Sequence, residues 1–228
     1  CNVKQFIYFS TMRVYQPQST PITQDSPIHC VDDYGLTHYL AEQLINQYQN
    51  QFDTLILRPS NVAGAPADLS IDRWSLVPAC FCKEAVEKGT ITLRSSGRQE
   101  RDFLPRSLFT DYINDFLEKP AAYKNKIINL ASGTSISILT VAKLVQELYQ
   151  DTNNQSCELI IESNEPQSAS PIQIDIDQLQ KSCPLPNHQN IDEALVMNEL
   201  RYEISKTLDS LINAKKETLS VLGSSKKI

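Results

Sequence analysis

Glycine is scarce in this chain. Its six glycines stand at 35, 64, 89, 97, 133 and 223 of 228 residues, and no two are three apart. A G-x-x-G-x-x-G turn is therefore missing, and with it the backbone amides that would cradle a pyrophosphate at a helix start. Long apolar runs are missing too: none approaches the roughly 20 residues that span a bilayer. No basic segment leads into an apolar signal core, so no membrane partner is expected. Positive charge is in deficit, with 21 Lys and Arg against 27 Asp and Glu and a net charge of -6. That balance argues against a nucleic-acid binder but allows a few arginines to hold an anionic ligand locally. Cys80 and Cys82 form one C-x-C, and no second Cys/His pair stands at zinc-site spacing, so no metal is expected. The six scattered cysteines read as space-filling, reduced thiols of a cytoplasmic protein.

What is present is the composition of a globular α/β protein, 41% hydrophobic and 21% charged. The length suits one large domain or two small ones, either able to bury a core. The chain opens on Cys1 and runs at once into "NVKQFIYFS", a strand pattern. A domain rarely opens on a central strand, so residue 1 is not expected to be the natural start of the folding unit. After a Pro-rich loop, Asp32 or Asp33 caps a helix predicted to reach about Gln51, with Leu36, Leu40, Leu44 and Ile45 repeating on one face. "TLILRPS" is the next buried strand. Strand, loop, helix, strand is the order of a doubly wound parallel sheet.

Further along, "WSLVPACFCKEAVEKG" predicts a helix interrupted near Pro78, and "TITLR" and "RQERDFLPRS" predict strands. "FTDYINDFLEK" predicts a helix stopped by Pro120, "KIINLAS" a strand, and Gly133 a turn. "SILTVAKLVQELYQ" predicts an amphipathic helix, "CELIIES" a strand, and a polar, proline-containing loop follows. A long helix over 191–217 and a frayed tail end the pattern. No internal repeat is present.

Four short stretches carry chemistry when taken together. "FIYFS" ends in Ser10-Thr11, and Thr11 stands 23 residues before Tyr34, so a hydroxyl at a strand's carboxyl end can meet a tyrosine on the next helix. Ligands collect at that edge of open α/β sheets. Tyr34 and His38 lie one helical turn apart in "DYGLTH", and "LILRPSNVAG" is a second strand end running into a loop. Taken singly, these are ordinary features: an i, i+4 pair arises by chance, Asn61 suits a turn, and Arg101 suits an ion pair with Asp102.

In order, "STMRVYQ", "YGLTH", "RPSNVAG" and "RDF" resemble S-[ST]-x-x-V-Y-G, Y-x-x-x-K, R-P-x-N-V-x-G and R-D-[FY] of the NAD-dependent epimerase/dehydratase family. These are extended short-chain dehydrogenase/reductases that act on nucleotide sugars. The resemblance covers most of residues 2–150 and weakens beyond. It implies a Rossmann-like doubly wound parallel sheet, here its C-terminal part, with a smaller α/β substrate-binding region. The corresponding boundaries are 1–64, 65–220 interleaved with returning Rossmann elements, and a tail over 221–228. It implies NAD or NADP as cofactor, a nucleotide-sugar substrate and a homodimer formed through a helix bundle. Tyr34 matches the tyrosine that exchanges a proton with a sugar hydroxyl, and Thr11 the hydroxyl that bonds the same oxygen, a task needing both donor and acceptor. Ser10, Pro59 and Ser60, with Tyr34 and His38, match the nicotinamide side. Asn61 matches a substrate contact and Arg101 a diphosphate clamp, which guanidinium geometry suits.

His38 departs from the family, which has lysine there. A free tyrosine has a pKa near 10, so about one part in a thousand is ionised at pH 7. A cation about 5 Å away at an effective dielectric near 20 favours the phenolate by on the order of 3 kcal/mol, about two pK units. Histidine, mostly neutral at pH 7, supplies little of that charge. Chemistry weakened by about two orders of magnitude is the consequence if only this term matters. The missing Gly-rich turn is the larger departure, and it accords with the abrupt start. After "RDF" the chain reads "LPRSLFTD" where the family commonly has I-H-V-x-D. Two alternatives to a weakened enzyme stay open: a non-catalytic relative that binds a nucleotide-sugar or a protein, and a truncated remnant.

Overall fold

In the computed structural model, residues 3–16, 18, 20–71, 74–163, 173–185 and 190–224 are described, without the side chains of 219 and 221–224. The elements, in chain order, begin with β1 (Gln5–Phe9), a 3-10 turn (Met12–Val14), α1 (Asp33–Asn46), β2 (Asp53–Pro59) and β3 (Asn61–Ala63). Then come α2 (Ala79–Lys88), β4 (Thr90–Leu93), β5 (Glu100–Pro105), α3 (Arg106–Glu118), a 3-10 turn (Pro120–Tyr123) and β6 (Lys126–Leu130). The remainder is β7 (Ser135–Ser137), α4 (Ile138–Asn153), β8 (Glu158–Ile161), α5 (Asp177–Ser182) and α6 (Glu193–Ser224). Two units share them: Cys1–Val62, Glu100–Ser135 and Ser170–Val196 form the first, and Ala63–Gln99, Ile136–Ala169 and Met197–Ile228 the second.

The first unit is built on a parallel sheet in the order β1–β2–β6. Ile7 stands beside Leu55, and Leu57 beside Ile128. The apolar run Leu55–Leu57 is buried throughout because β2 is central and both of its faces are covered. One face packs Leu55, Leu57 and Leu130 against Leu108, Tyr112 and Phe116 of α3, with Leu179, Cys183 and Leu185 closing the cluster. The opposite face carries Arg58, which bonds Glu42 of α1. Helices on both sides of a parallel sheet give the doubly wound, Rossmann-like arrangement.

In the second unit β4 and β8 pair in parallel. α4 buries Val141, Ala142, Val145 and Leu148. α6 buries Leu200, Ile204, Leu208 and Leu211 at helical spacing, while Arg201 reaches Glu147 of α4 at 3.0 Å. Gly89 ends α2 in the left-handed region, with φ 71°.

Several elements differ from the sequence expectation. α1 stops at Asn46, five residues short of Gln51, and 47–51 form turns. Its apolar stripe faces outward: Leu36, Leu40 and Leu44 are 45%, 57% and 56% exposed, and Ile45 is half-buried. The line Tyr34–His38–Glu42 lies two residues away, at roughly 100° per residue about 200° round the helix. That polar line, through His38 and Glu42, meets the sheet, so the leucines are turned from it. Pro78 precedes α2 and starts it, as proline in a first turn can, where an interruption was predicted. β3, β7 and α5 were not anticipated, β3 standing where a loop was expected after Pro59; each is six residues or shorter. α6 continues through Ser224, into the stretch expected to fray. Part of the polar loop, 164–172 and 186–189, and residues 225–228 lie outside the described residues.

Candidate active site

The chain leaves the carboxyl end of β1 through Ser10 and Thr11, both buried. Thr11 caps the following 3-10 turn: its hydroxyl oxygen accepts from the Arg13 amide at 3.2 Å. With the oxygen so used, the hydroxyl proton is left to donate. The turn carries Arg13 against the start of α1, where a Cβ on Gly35 would run into the Arg13 carbonyl oxygen. The "YG" of "DYGLTH" is thus a close approach of helix and loop, which only a residue without a side chain allows. Asp32 caps α1, accepting from the Gly35 amide at 2.8 Å, and pairs with the Arg13 guanidinium. The Gly35 amide and then Arg13 hold the Asp32 carboxyl below the usual carboxylate range.

Tyr34 is 52% exposed at this edge. The Arg13 guanidinium lies 5.6 Å from its ring centre, and the His38 ring meets it edge-on at 4.6 Å. The Tyr34 hydroxyl bonds no other described side chain. His38 Nδ1 is 2.9 Å from the Tyr8 hydroxyl, on β1. Burial, with Glu42 and Tyr34 nearby, raises the Tyr8 phenol above its ordinary value and keeps it protonated.

One turn beyond His38, Glu42 is fully buried and bridges three elements. It accepts from the Ser10 hydroxyl at 2.5 Å and from Arg58 Nε and Nη2 at 2.9 and 2.5 Å. Arg58 Nη1 donates to the Tyr15 hydroxyl at 2.5 Å, and that hydroxyl donates to Asn129 Oδ1 at 3.0 Å. Burial opposes the Arg58 charge, but Glu42 and Tyr15 outweigh it and hold the guanidinium above its ordinary value. The fork-on-fork geometry fixes α1 on β2 at the height of Ser10.

At the end of β2, Ser60 and Asn61 turn toward β5. Ser60 donates its hydroxyl to Asp102, while the Ser60 amide bonds the Leu130 carbonyl at 2.9 Å. Asn61 opens β3 and donates Nδ2 to the Asp102 carbonyl at 2.8 Å. Asp102 is buried and also accepts from the Ser132 amide, the Ser132 hydroxyl and the Gly133 amide at 3.1, 2.9 and 2.8 Å. Burial raises its carboxyl above the usual range against these donors. Arg101 is half-buried and donates to the Glu100 carbonyl at 2.8 Å. Its suggested ion pair with Asp102 does not form, because neighbouring strand residues point to opposite faces.

The structure therefore joins Tyr34 to His38 by ring contact, and places Ser10, Thr11, Pro59 and Ser60 at the carboxyl edge of the same sheet. Asn61 and Arg101 are tied to the β5 backbone. Five side chains that organise this region escaped the sequence reading: Tyr8, Arg13, Glu42, Arg58 and Asp102. Two left a signal. Arg58 is a charge inside an apolar strand, and Glu42 continues the i, i+4 line of Tyr34 and His38.

A parallel sheet flanked by helices, with hydroxyls and a tyrosine at its carboxyl edge, defines a Rossmann-like α/β protein. The model of the NAD dependent epimerase/dehydratase family matches residues 1–131, and the chain belongs to that family. It is similar to UDP-arabinose 4-epimerase 1 of Arabidopsis thaliana, 28% identical over 156 residues, covering 60% of this chain and 37% of the relative. Human dTDP-D-glucose 4,6-dehydratase is 28% identical over 158 residues, covering 68% and 43%. The chain spans less than half the length of these curated relatives. Among solved structures, a UDP-N-acetylglucosamine 4-epimerase from Methanobrevibacter ruminantium M1 aligns with a TM-score of 0.72 at 18% identity, covering 93% of this chain and 64% of that one. UDP-glucuronic acid 4-epimerase from Bacillus cereus, in complex with UDP-glucuronic acid and NAD, gives 0.66 at 19% identity, covering 89% and 62%.

Proposed function

We propose that this chain carries the proton-transfer side of an NAD(P)-dependent nucleotide-sugar epimerase or dehydratase. The unit holding the β1–β2–β6 sheet is, on this reading, the C-terminal portion of the cofactor-binding domain. One observation carries it: Tyr34 presents an exposed phenol that bonds no other described side chain, in an edge-type ring contact with His38, on the helix that follows the buried hydroxyl of Thr11. The donor set fits the nicotinamide end of NAD or NADP, with Tyr34 and His38 on α1 and Ser10, Pro59 and Ser60 at the strand ends. The six glycines supply no cradle for its pyrophosphate, so no pyrophosphate contact is assigned to this chain. When bound, the nicotinamide supplies reversible hydride transfer at a sugar carbon.

The chain's own residues do the rest. Tyr34, entering the step as the phenolate, takes the proton of the sugar hydroxyl as that oxygen becomes a carbonyl, and returns it later. Thr11, its oxygen occupied by the Arg13 amide, donates its hydroxyl proton to the same sugar oxygen. Asn61 and Arg101 are assigned to the nucleotide-sugar, Arg101 at its diphosphate. His38 leaves Tyr34 without the family lysine's ammonium, and activity is weakened about a hundredfold. The exposed leucines of α1 support a homodimer through that face. Free thiols at Cys30, Cys80, Cys82, Cys157 and Cys183 accord with the cytoplasm, and no described helix is long and apolar enough to cross a membrane.

The test is nicotinamide reduction on adding UDP-sugars to the chain with NAD, followed by fluorescence, for the unaltered protein, H38K and Y34F. The proposal expects H38K to be faster by about two orders of magnitude and Y34F to be silent. H38K with no turnover, on a chain that binds NAD, would favour the non-catalytic relative. The engagement of His38 by Tyr8 is the observation on that side.

A further inference from the structure

A lysine at position 38 would bring an ammonium with three donors and no acceptor. Histidine brings two nitrogens whose roles must be divided, and the structure divides them. Nδ1 sits 2.9 Å from the Tyr8 hydroxyl. No other described side chain bonds that hydroxyl. If Nδ1 carried a proton, the Tyr8 oxygen would accept it and the phenolic proton would lack a protein partner in a half-buried place. If Nδ1 is bare, one bond satisfies both groups, and the phenol is a better donor than acceptor. Tyr8 keeps its proton firmly, because burial and then Glu42 oppose its ionisation. The groups around the ring agree. Glu42, one turn on, turns its carboxylate to Ser10 and Arg58, and Nδ1 is bonded to the Tyr8 hydroxyl instead. Tyr34 packs against the ring at a steep interplanar angle of 63° and forms no hydrogen bond with it.

We infer that Tyr8 is a positioning residue for His38: its phenol donates to Nδ1, holds the neutral ring in the Nε2–H form, and makes His38 a charge-free hydrogen-bond donor toward a ligand hydroxyl beside Tyr34. The tautomer is a property of the chain alone; the ligand hydroxyl rests on the function proposed above. The device gives a histidine a defined hydrogen-bonding role where the family has a cation. β1 supplies the partner, and the donor function survives while the charge does not. A second consequence is a preference for neutral hydroxyls over anionic groups at this point, since an uncharged N–H gains little from an anion compared with an ammonium.

The experiment is nitrogen-15 imidazole NMR of the whole chain above pH 7.5, where only three histidines contribute and H38Q assigns the signal of interest. Free imidazole side chains already favour Nε2–H somewhat, so a histidine peptide in the same buffer is the reference. The expected result is an Nε2–H to Nδ1–H ratio at His38 roughly fivefold above that reference, the size of one net neutral hydrogen bond. In Y8F the ratio should return to the reference value. A wild-type ratio at or below the reference overturns the inference, as does a Y8F ratio equal to that of the wild type. Should Y8F fail to fold, the wild-type comparison still decides. An NAD titration of the same sample separates the two levels. Absence of NAD binding with the Nε2–H form intact counts against the nicotinamide assignment and leaves Tyr8 in its role; NAD binding with the Nδ1–H form dominant refutes the role of Tyr8 alone.

Discussion

Replacing Arg58 with methionine isolates the buried pair that seats α1 on the sheet. The substitution keeps much of the stem's volume and removes the charge together with its donors. Glu42 then retains only the Ser10 hydroxyl, at 2.5 Å, and the Tyr15 hydroxyl loses the donation from Arg58. Because Glu42 is fully buried and Arg58 nearly so, solvent cannot replace what is lost. Two charges about 4 Å apart at an effective dielectric near 20 interact by about 4 kcal/mol, and stranding one partner of a buried pair costs about 3–5 kcal/mol. That is a large share of an ordinary domain's stability of roughly 5–15 kcal/mol. Urea unfolding of R58M should therefore show a midpoint lower by roughly 1–2.5 M, for a slope of about 2–3 kcal/mol per M. The double variant E42L/R58M should recover most of the loss, since a well-packed apolar pair removes the stranded charge. A loss under about 1 kcal/mol would mean that water reaches Glu42 and that the pair does not seat the helix.

Two further outcomes follow from other parts of the fold. Burial works against the Asp115 charge, but Lys119, Tyr123 and Cys183 donate to it and hold its carboxyl below the ordinary range. Its contribution is present above the unfolded carboxylate value and is lost as pH falls through the lowered one, so the melting-temperature gap between wild type and D115N should narrow from pH 5 to pH 2. A gap constant with pH would show that Asp115 acts through packing. The leucine stripe of α1 gives the other: sedimentation should show a dimer for the wild type and a monomer for L40E. A wild-type monomer at high concentration would remove the stripe from consideration as a homodimer interface.

The order of the longer elements was legible in the residues because each of them carried its own period and its own stop, which β3, β7 and α5 were too short to do. β2 is an apolar run closed by Pro59, α2 ends at Gly89, and α3 ends just before Pro120. The places of Thr11, Tyr34, Asn61 and Arg101 relative to those strand and helix ends were legible as well. Only the tertiary structure decided which way α1 faces. Its periodicity marks the leucines as the burying stripe, yet Glu42 and His38 meet the sheet, because Arg58, Ser10 and Tyr8 wait there with complementary donors. No local pattern records that match: the partners lie 16, 32 and 30 residues away. Which nitrogen of His38 is bonded is likewise a property of β1 and not of the helix that carries the ring. The sequence by itself determined the elements and the chemistry available to them; packing decided which groups lose water and must therefore find one another.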